Sequence, residues 1–577
     1  MATIGDRLAE EHYRKNPDAD KNAASRFAKA IARHGIPYCA DFKRIERLPR
    51  REWDKQPDLE SIRDVMTAAL SAPNGTMKLR LAQAAALADL YEWRGLVGAL
   101  GCGAGKALIS LLAPHMVDAV RPLLLVPAQL RDQLIRKTVP EMKRHWNIPA
   151  QKILAYEDLS QVDHADFLDD YHPDLIVADE AQYLAGTGSG RTRRVGRYMT
   201  ANPNTMFVVL TGTLTRRSLR DYWHLVLWAM KETTAPMPTT WVKLQDWADA
   251  LDEEIRDERM RVSPGALKRL CIGREDVRSG YRRRLSETPG YISTGDNAVE
   301  ASLNIFLHKP AVPGNVAGQL ARLTGMWELP NGDYVTEAID LWRHARELAS
   351  GFYYRWDPAP PDEWLSARRE WKRYVRDRIS HNRSGIDTEL QVWNEAALDN
   401  FQGDLPEFQR WRDVKDSFTP NTVAVWESEF LVDHIREFVG DGDARGVIVW
   451  TEHDAFAKRL AERTTWPYFG AGDDSIVDEK GDRTIIASIR AHGIGKDLQH
   501  AFSRNVVASC PPSGAQWEQM LGRTHRPGQK ADEVTVDVFL HTEAQANAWL
   551  RANQDARYIE DTTGQQQKLN YATKVDR

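Results

Sequence analysis

A glycine-rich loop and two adjacent carboxylates are the residues whose types and spacing most directly suggest chemistry. The loop, Gly101–Lys106, reads GCGAGK and comes just before a helix-like segment that starts at Ala107. Glycines let backbone N–H groups surround phosphate oxygens, a helix N-terminus adds positive potential, and a lysine reaches the outer phosphates. The strict phosphate-loop pattern has glycine in place of Leu100 and Ser or Thr in place of Ala107. A phosphate loop and an ordinary glycine-rich turn are therefore both open at this point.

The carboxylates are Asp179 and Glu180, which follow the apolar run Leu175–Ala178. Such a run predicts a buried strand, and open α/β sheets bind ligands at the edge where their strands end. One carboxylate can hold Mg²⁺ while its neighbour polarises the attacking water, as phosphoanhydride hydrolysis requires. An Asp-Glu pair that only caps a helix is the alternative interpretation.

Two further segments carry residues suited to phosphate chemistry. Thr211 and Thr213 flank a glycine at the end of another apolar run. The helix-like segment Trp517–Gln529 places Arg523 and Arg526 three residues apart on one face. Such arginines stabilise the charge that develops on a transferred phosphoryl group. Taken alone, the first segment is typical of a turn and the arginines of a surface salt-bridge pair.

Short apolar runs predict the strands that position these residues. Each run is bounded by Pro, Asp or Thr-Gly, which is typical of buried parallel strands in an α/β sheet. The runs form two groups, which are 123–126, 175–178 and 206–210, then 446–450, 484–488, 505–508 and 534–538. Two α/β lobes are the natural inference.

The remaining chain has other patterns. Charged, helix-like sequence precedes the first group of strands, and ten tryptophans lie among long charged helical patterns between the groups. We therefore predict an α/β protein of two parallel-sheet lobes, with a helical N-terminal extension and a helical insertion between the lobes. The predicted boundaries are 1–75 for the extension, 76–230 for lobe 1, 231–424 for the Trp- and Arg-rich insertion, 425–550 for lobe 2 and 551–577 for a C-terminal tail.

Composition excludes several classes of protein. With 577 residues, 42% of them hydrophobic and 28% charged, the chain is neither a disulfide-rich miniprotein nor a disordered polymer. The net charge of −5 argues neither for nor against a nucleic-acid partner. The four cysteines are far apart without C-x-x-C spacing, which argues against a zinc site and a disulfide framework. The first residues lack an apolar signal core and no uncharged run of about 18 residues occurs, so we expect a cytoplasmic protein without a membrane partner.

The order and spacing of the motifs resemble those of Swi/Snf-type ATPases of helicase superfamily two, over about 76–230 and 425–545. The ending His525–Gln529 is similar to the H-R-x-G-Q that distinguishes this branch. The compact size of the chain and its segment Gly514–Arg526 resemble bacteriophage-encoded members. The matching segments are Gln83 for an adenine-reading glutamine, Gly101–Lys106 for the phosphate loop, Pro122–Leu130 for a strand and loop that touch the nucleic-acid backbone, Asp179–Gln182 for the D-E-x-x box, Thr211–Thr213 for T-G-T, Ala487–Gln499 for S-T-x-A-G-G-x-G-x-N-L and Gln519–Arg526 for Q-x-x-G-R-x-x-R.

This resemblance implies two RecA-like lobes that bind ATP and Mg²⁺ in the cleft between them and move along DNA, most often duplex DNA. It also implies a bacterial or phage-infected host cytosol, with possible replication or recombination proteins as further partners that the sequence does not identify. The residues it implies are Glu180, Arg523, Arg526 and Gln519 for catalysis, Gln83, Gly103, Ala104, Gly105, Lys106, Ala107 and Gly495 for the nucleotide, Asp179 for Mg²⁺, and Thr211, Thr213 and Gln129 for nucleic-acid contact or coupling.

Clustered basic residues suggest where DNA would be contacted, because Arg and Lys neutralise phosphates and release counterions. The cluster after the acidic box is predicted to do so, through Arg191, Arg193, Arg194 and Arg197. A second cluster lies in the insertion, where a solvated charged face is an equal alternative, and contains Lys268, Arg269, Arg274, Arg278, Arg282, Arg283 and Arg284. Trp364 and Trp371, seven residues apart on one predicted helix, favour helix packing over base stacking.

Two functions follow from these patterns. The first is an ATP-dependent DNA translocase with helicase-like architecture, indicated by the ordered motifs in both lobes. The second is a catalytically weak, nucleotide-gated protein that binds DNA or a partner. It is indicated by Ala107, because the missing hydroxyl is normally a Mg²⁺ ligand. Slowed hydrolysis with retained nucleotide binding is the hypothesis for Ala107.

Overall fold

The computed structural model describes residues 35–51, 58–215, 217–252, 262–293, 299–381, 385–399, 405–440 and 446–577. Most of the predicted N-terminal extension lies outside these residues, and its described part contains two helices. The predicted α/β class is confirmed, with two parallel sheets of six and seven strands. None of the described helices is long and apolar enough to cross a membrane.

The first sheet has six parallel strands in the order β3-β2-β4-β5-β1-β6. Its apolar runs are continuous because both faces are covered, with Leu123 and Leu125 packed on one side and Leu124 on the other. We call this sheet and the elements packed on it the first lobe. Its strands are β1 (Leu96–Ala99), β2 (Pro122–Val126), β3 (Lys152–Ala155), β4 (Leu175–Asp179), β5 (Met206–Thr211) and β6 (Tyr291–Ser293).

The second sheet has seven parallel strands in the order β11-β12-β10-β13-β14-β7-β15 and forms the second lobe. Alternation again distributes its residues between two cores, with Ile448 and Trp450 on one face and Val447 and Val449 on the other. A separate antiparallel pair, β8 and β9, lies outside it. The strands are β7 (Ser302–His308), β8 (Phe352–Trp356), β9 (Thr422–Trp426), β10 (Val447–Thr451), β11 (Tyr468–Phe469), β12 (Ile485–Ser488), β13 (Arg504–Val507), β14 (Glu533–Phe539) and β15 (Thr573–Asp576).

Helices cover both sheets and fill the region between β7 and β10. In the first lobe they are α1 (Ala40–Arg47), α2 (Leu59–Leu70), α3 (Leu81–Trp93), α4 (Lys106–Val117), α5 (Ala128–Gln133), α6 (Val139–Met142), α7 (Phe167–Tyr171), α8 (Gly190–Ala201), α9 (Trp223–Thr234), α10 (Trp241–Leu251) and α11 (Val277–Ser286). The others are α12 (Gly314–Met326), α13 (Ala338–Ala349), α14 (Asp362–His381), α15 (Glu389–Asp399), α16 (Pro406–Val414), α17 (Phe430–Val439), α18 (Asp454–Arg463), α19 (Ile489–His492), α20 (Gly514–Thr524), α21 (Glu543–Thr563) and α22 (Lys568–Tyr571).

The sheets divide the chain differently from the predicted boundaries. The span 231–424, predicted to be a helical insertion between the lobes, supplies β6 to the first sheet and β7 to the second. The predicted tail 551–577 contains most of α21 and ends in β15, which pairs with β7. These strands are short or carry polar residues on one face, so their sequences lack the continuous apolar runs of the other strands.

The tryptophans of α14 are buried, as predicted for helix packing. Trp364 lies 5.4 Å from Trp411 between ring centroids, and Trp371 lies 5.6 Å from Trp393. Trp371 is fully buried and Trp364 nearly so. Their rings therefore hold α14, α15 and α16 together and are not available for base stacking.

Candidate functional site

The glycine-rich loop joins the end of β1 to the start of α4. Gly103 and Gly105 have φ of +89° and +79°, a region that L side chains rarely adopt. The Lys106 side chain is buried, and its Nζ donates to Leu100 O at 3.1 Å and lies 3.7 Å from Glu180 Oε1. The loop therefore has the backbone conformation and the lysine that a phosphate site needs.

The two carboxylates lie at the end of β4. In the sheet, only β5 separates β4 from β1, the strand that leads into the glycine-rich loop. Glu180 adopts left-handed φ and ψ of 55° and 52°, which is unfavourable for a non-glycine residue and typical of functional sites. Asp179 is buried, and burial together with the charge of Glu180 raises the pKa of Asp179 to about 7, while Lys106 opposes this shift. Burial disfavours the Lys106 ammonium, but Glu180, Cys102 and Asp179 together outweigh burial and the pKa of Lys106 is raised. The site thus holds a mutually dependent set of buried charges.

The second lobe completes the pocket with two arginines. Arg523 is buried, and its guanidinium donates from Nε to Gln519 O at 2.8 Å and from Nη1 to Lys496 O at 3.0 Å. Burial lowers the pKa of Arg523 from its ordinary value. Helix α20 ends at Thr524, so Arg526 lies beyond the helix rather than on one face with Arg523 as predicted. Arg526 pairs with Asp497 across the rim.

These groups line one pocket of about 270 Å³ between the lobes. Close approach of the lobes depends on glycine, since a Cβ at Gly495 would lie 1.7 Å from Leu130 Cδ2 and one at Gly522 would lie 2.8 Å from Cys102 Cβ. The residues that the structure brings together there include Gly103, Gly105, Lys106, Ala107, Asp179, Glu180, Gly495, Arg523 and Arg526. The pocket therefore unites nine residues that were predicted from sequence.

A chain of hydrogen bonds connects Glu180 to the T-G-T segment. Gln182 Nε2 donates to Glu180 Oε2 at 2.8 Å, and Thr211 Oγ1 donates to Gln182 Oε1 at 2.6 Å. The backbone N–H of Thr213 then donates to Thr211 Oγ1 at 3.0 Å. These bonds connect the end of β5 to the Glu180 carboxylate.

Gln83, on α3, holds the glycine-rich loop by hydrogen bonds. Its Oε1 accepts the Arg80 N–H at 2.8 Å and its Nε2 donates to Gly105 O at 3.1 Å. A Cβ at position 105 would lie 2.2 Å from Gln83 Nε2, which is why glycine is needed there. Ala104, the remaining loop residue predicted to contact nucleotide, is half-buried between the two glycines.

A second cavity, of about 410 Å³, lies between the lobes. Gln519, predicted to act in catalysis, lines this cavity rather than the pocket with Lys106. Thr213 also lines it, and among the described residues its buried Oγ1 is one of the side-chain atoms without a hydrogen-bond partner. Gln129 lies near its wall, where its Nε2 donates to Tyr183 OH at 3.2 Å.

The predicted DNA contacts by Arg193 and Arg194 are not supported by their positions on α8. Arg194 is buried and donates to Leu159 O at 2.8 Å while pairing with Asp387 at 3.4 Å. Arg193 donates to Ile379 O at 2.7 Å. Arg197 also pairs with Asp387, at 2.6 Å. These three arginines attach the helical region around α14 to the first lobe, so their charges are engaged within the protein.

Most of the second basic cluster is likewise engaged in internal contacts. The buried Arg284 donates to Pro49 O at 2.9 Å, and Arg283 pairs with Glu275 at 3.2 Å. Arg269 pairs with Glu46 at 2.9 Å. Lys268 and Arg274 are exposed. Internal contacts therefore engage Arg269, Arg283 and Arg284, while the exposed Lys268 and Arg274 fit the predicted alternative of a solvated charged face.

Asp179 fits a role as the protein ligand of a nucleotide-bound Mg²⁺. No group of three His, Cys, Asp or Glu side chains suited to a metal occurs among the described residues. A nucleotide-bound Mg²⁺ needs fewer protein ligands, because phosphates and waters supply the rest. Burial disfavours the Asp179 anion, and a nearby cation favours it. Ala107 offers no oxygen, and the buried Ser110 hydroxyl donates to Ala107 O at 2.8 Å, so it does not replace the missing threonine.

No protein-family model matches the chain, and no curated protein matches it. The case for a function therefore comes from the residues of the site and their geometry.

Sequence reasoning missed the C-terminal residues that reach the site. Gln565 Nε2 donates to Thr211 O at 3.3 Å, and Lys568 pairs with Glu518 of α20 at 3.5 Å. Both are buried. Their local sequence, QQQK, has no apolar period or catalytic spacing, so nothing in it distinguishes the segment from a solvated tail.

Proposed function

We propose that the protein is an ATP-dependent DNA translocase of the Swi/Snf type, with two RecA-like lobes that hydrolyse ATP between them. The observation that carries the proposal is the single pocket in which Lys106, Asp179 and Glu180 of one lobe face Arg523 and Arg526 of the other. Phosphoryl transfer depends on positioning and charge stabilisation, and this is the set of groups that supplies both.

Each side chain has a defined task in the proposed reaction. The loop N–H groups and the Lys106 ammonium bind the phosphates of ATP, and Asp179 holds Mg²⁺, which neutralises charge on the phosphate oxygens. Glu180 orients the water that attacks the γ-phosphorus and accepts its proton as ADP leaves. Arg523 and Arg526 stabilise the charge on the transferred group, so hydrolysis requires a closed cleft.

DNA as the partner rests on the motif resemblance and on the second cavity. That cavity lies at the T-G-T segment, and its lining includes the exposed Arg490 together with Arg191. The Glu180–Gln182–Thr211 chain of hydrogen bonds offers a route by which a ligand there influences hydrolysis. Closure and opening of the cleft would then move the lobes along a duplex.

A second candidate is a nucleotide-gated binding protein with little turnover. Ala107 favours it, since neither this residue nor Ser110 presents a hydroxyl to the pocket. The complete set of Glu180, Arg523 and Arg526 favours the enzyme, because binding alone does not need them.

Steady-state ATP hydrolysis with Mg²⁺ separates the candidates. It would be measured without nucleic acid and with duplex DNA, single-stranded DNA or RNA, using Glu180→Gln as the blank. Stimulation by duplex DNA that disappears in Glu180→Gln supports the translocase. Turnover that never exceeds the blank while ATP still binds supports the binding protein.

A further inference from the structure

The C-terminal segment makes contacts with both lobes. Helix α21 starts in the second lobe against α20 and packs against α11 of the first. The chain then returns to the second lobe, where β15 pairs with β7 in parallel register from Thr573 opposite Asn304. A segment anchored at both ends in one lobe therefore crosses to the other lobe in between.

Hydrogen bonds join this segment to the first lobe along its length. Arg217 Nε donates to Asp555 Oδ1 at 2.5 Å, and Tyr558 OH donates to Asp252 Oδ1 at 2.6 Å. Tyr291 OH, on β6, donates to Thr563 O at 2.8 Å. These bonds are buried or half-buried, where each replaces hydration and fixes geometry. They join the first lobe to α21, the helix that starts in the second lobe.

The segment reaches the candidate site from both sides within four residues. Gln565 Nε2 donates to Thr211 O, the same residue whose hydroxyl begins the hydrogen-bond chain to Glu180. Lys568 N–H donates to Glu518 Oε2 at 2.7 Å, and its Nζ lies 3.5 Å from Glu518 Oε1. Glu518 lies on α20, the helix that carries Arg523.

The buried charge of Lys568 is specifically stabilised. Burial disfavours its ammonium, but Glu518, Tyr571 and Cys102 together outweigh burial and the pKa of Lys568 is raised. A Cβ at Gly522 would lie 3.7 Å from Lys568 Cε and 2.8 Å from Cys102 Cβ of the phosphate loop. The lysine stem thus packs where α20 meets the loop.

We propose that residues 543–577 form an interlobe strut that positions the hydrolytic groups, with Gln565 and Lys568 as its positioning residues. The inference rests on the proposed function. Gln565 fixes the end of β5, and so Gln182 and Glu180, while Lys568 fixes α20 and Arg523. The strut holds the water-orienting carboxylate and the arginine in one arrangement without touching nucleotide.

The test compares Gln565→Ala with Gln566→Ala, the same change at a half-buried neighbour. We expect Gln565→Ala to lower kcat for ATP about tenfold, within the roughly 10²-fold that a 1 Å misplacement costs. The Kd of a fluorescent ATP analogue should stay within about twofold, because the loop and Lys106 are untouched. Gln566→Ala should match the wild type in both.

A second readout does not depend on hydrolysis. Fluorescent labels would be attached through non-canonical amino acids at Val120 of the first lobe and Val477 of the second, which are 80% and 38% exposed. The double variant Gln565→Ala/Lys568→Met should lower energy transfer between them in the full-length protein. Unchanged transfer and unchanged kcat would overturn the strut. Equal losses of kcat and ATP affinity at unchanged transfer would overturn it as well, since they indicate a merely structural role.

The two proposals fail separately. If the wild type does not hydrolyse ATP with any nucleic acid, the proposed function is wrong. The strut is then decided by energy transfer alone, with a decrease in the double variant supporting it and no change overturning it.

Discussion

Replacing Arg194 by methionine tests whether the arginines of α8 attach the helical region or contact DNA. The Arg194 side chain is 2% exposed and its partner Asp387 is 1% exposed. Removing one partner of a buried pair costs roughly 3–5 kcal/mol where the remaining charge is left without compensation. Arg197 still pairs with Asp387 in this variant, so we expect a loss of about 1–3 kcal/mol from the unmade buried hydrogen bonds. Methionine retains most of the apolar stem, so the loss comes from the charge and from the bond to Leu159 O.

The matched control is Arg197→Met, which removes a partner of the same carboxylate from a side chain that is 45% exposed. Asp387 keeps its buried pair with Arg194 in this variant and the lost contact is half-exposed, so Arg197→Met should lose about 0–1 kcal/mol and be less destabilised than Arg194→Met in the free energy of unfolding from urea titration.

Salt dependence of DNA binding provides the second assay. The slope of log K against log salt is negative, and each phosphate contact that is lost reduces its magnitude by about 0.9. Since Arg194 is engaged within the protein, the slope for Arg194→Met should equal that of the wild type at temperatures where the variant stays folded. A stable Arg194→Met variant with a slope reduced by about one would refute the reasoning and restore the predicted DNA contact.

Three other changes have expected outcomes. Burial raises the pKa of Glu452 from 4.5 to about 7. The contribution of its proton to the free energy of unfolding is therefore fully present below pH 4.5 and is lost as pH rises through 7. Between pH 4.5 and 7.5 the unfolding free energy should fall by about 3 kcal/mol less in Glu452→Gln than in the wild type, because glutamine does not titrate. Parallel pH profiles of the two proteins would contradict this expectation. Ala107→Thr should raise ATP turnover at limiting Mg²⁺ by supplying the missing ligand, and unchanged kinetics would count against a Mg²⁺ site beside residue 107. Trp371→Ala should cost roughly 3–5 kcal/mol on chemical denaturation because the ring is fully buried, while a loss of DNA affinity without destabilisation would favour base stacking.

The acidic part of the candidate pocket was predictable because Asp179 and Glu180 lie at the end of an apolar strand. Asp179 follows a continuous apolar run, and the carboxyl ends of parallel strands meet at one edge of a sheet. The same logic identified the two lobes, since strands covered on both faces must be apolar at every position. Motif order then indicated which edges face each other.

The parts that sequence did not predict depend on partners far along the chain. Arg194 looked like a phosphate contact because Asp387 is 193 residues away. Strand β15 is exposed along its length and is therefore not apolar, so its pairing with β7 left no pattern. Gln565 contacts the first lobe through a hydrogen bond that its side-chain amide donates to the backbone oxygen of Thr211, and no spacing rule predicts such a contact.

The most direct test of the central claim, that one nucleotide site is built from both lobes, is to compare ATP binding and single-turnover hydrolysis in Arg523→Ala with duplex DNA present. Arg523→Lys serves as the conservative variant, which keeps the charge but not the planar fork. We expect nucleotide affinity within a few-fold of the wild type and a loss of at least roughly 10³-fold in the hydrolysis rate, with partial recovery in the lysine variant. Hydrolysis at the wild-type rate in Arg523→Ala would contradict the claim, because the second lobe would then contribute nothing to the reaction.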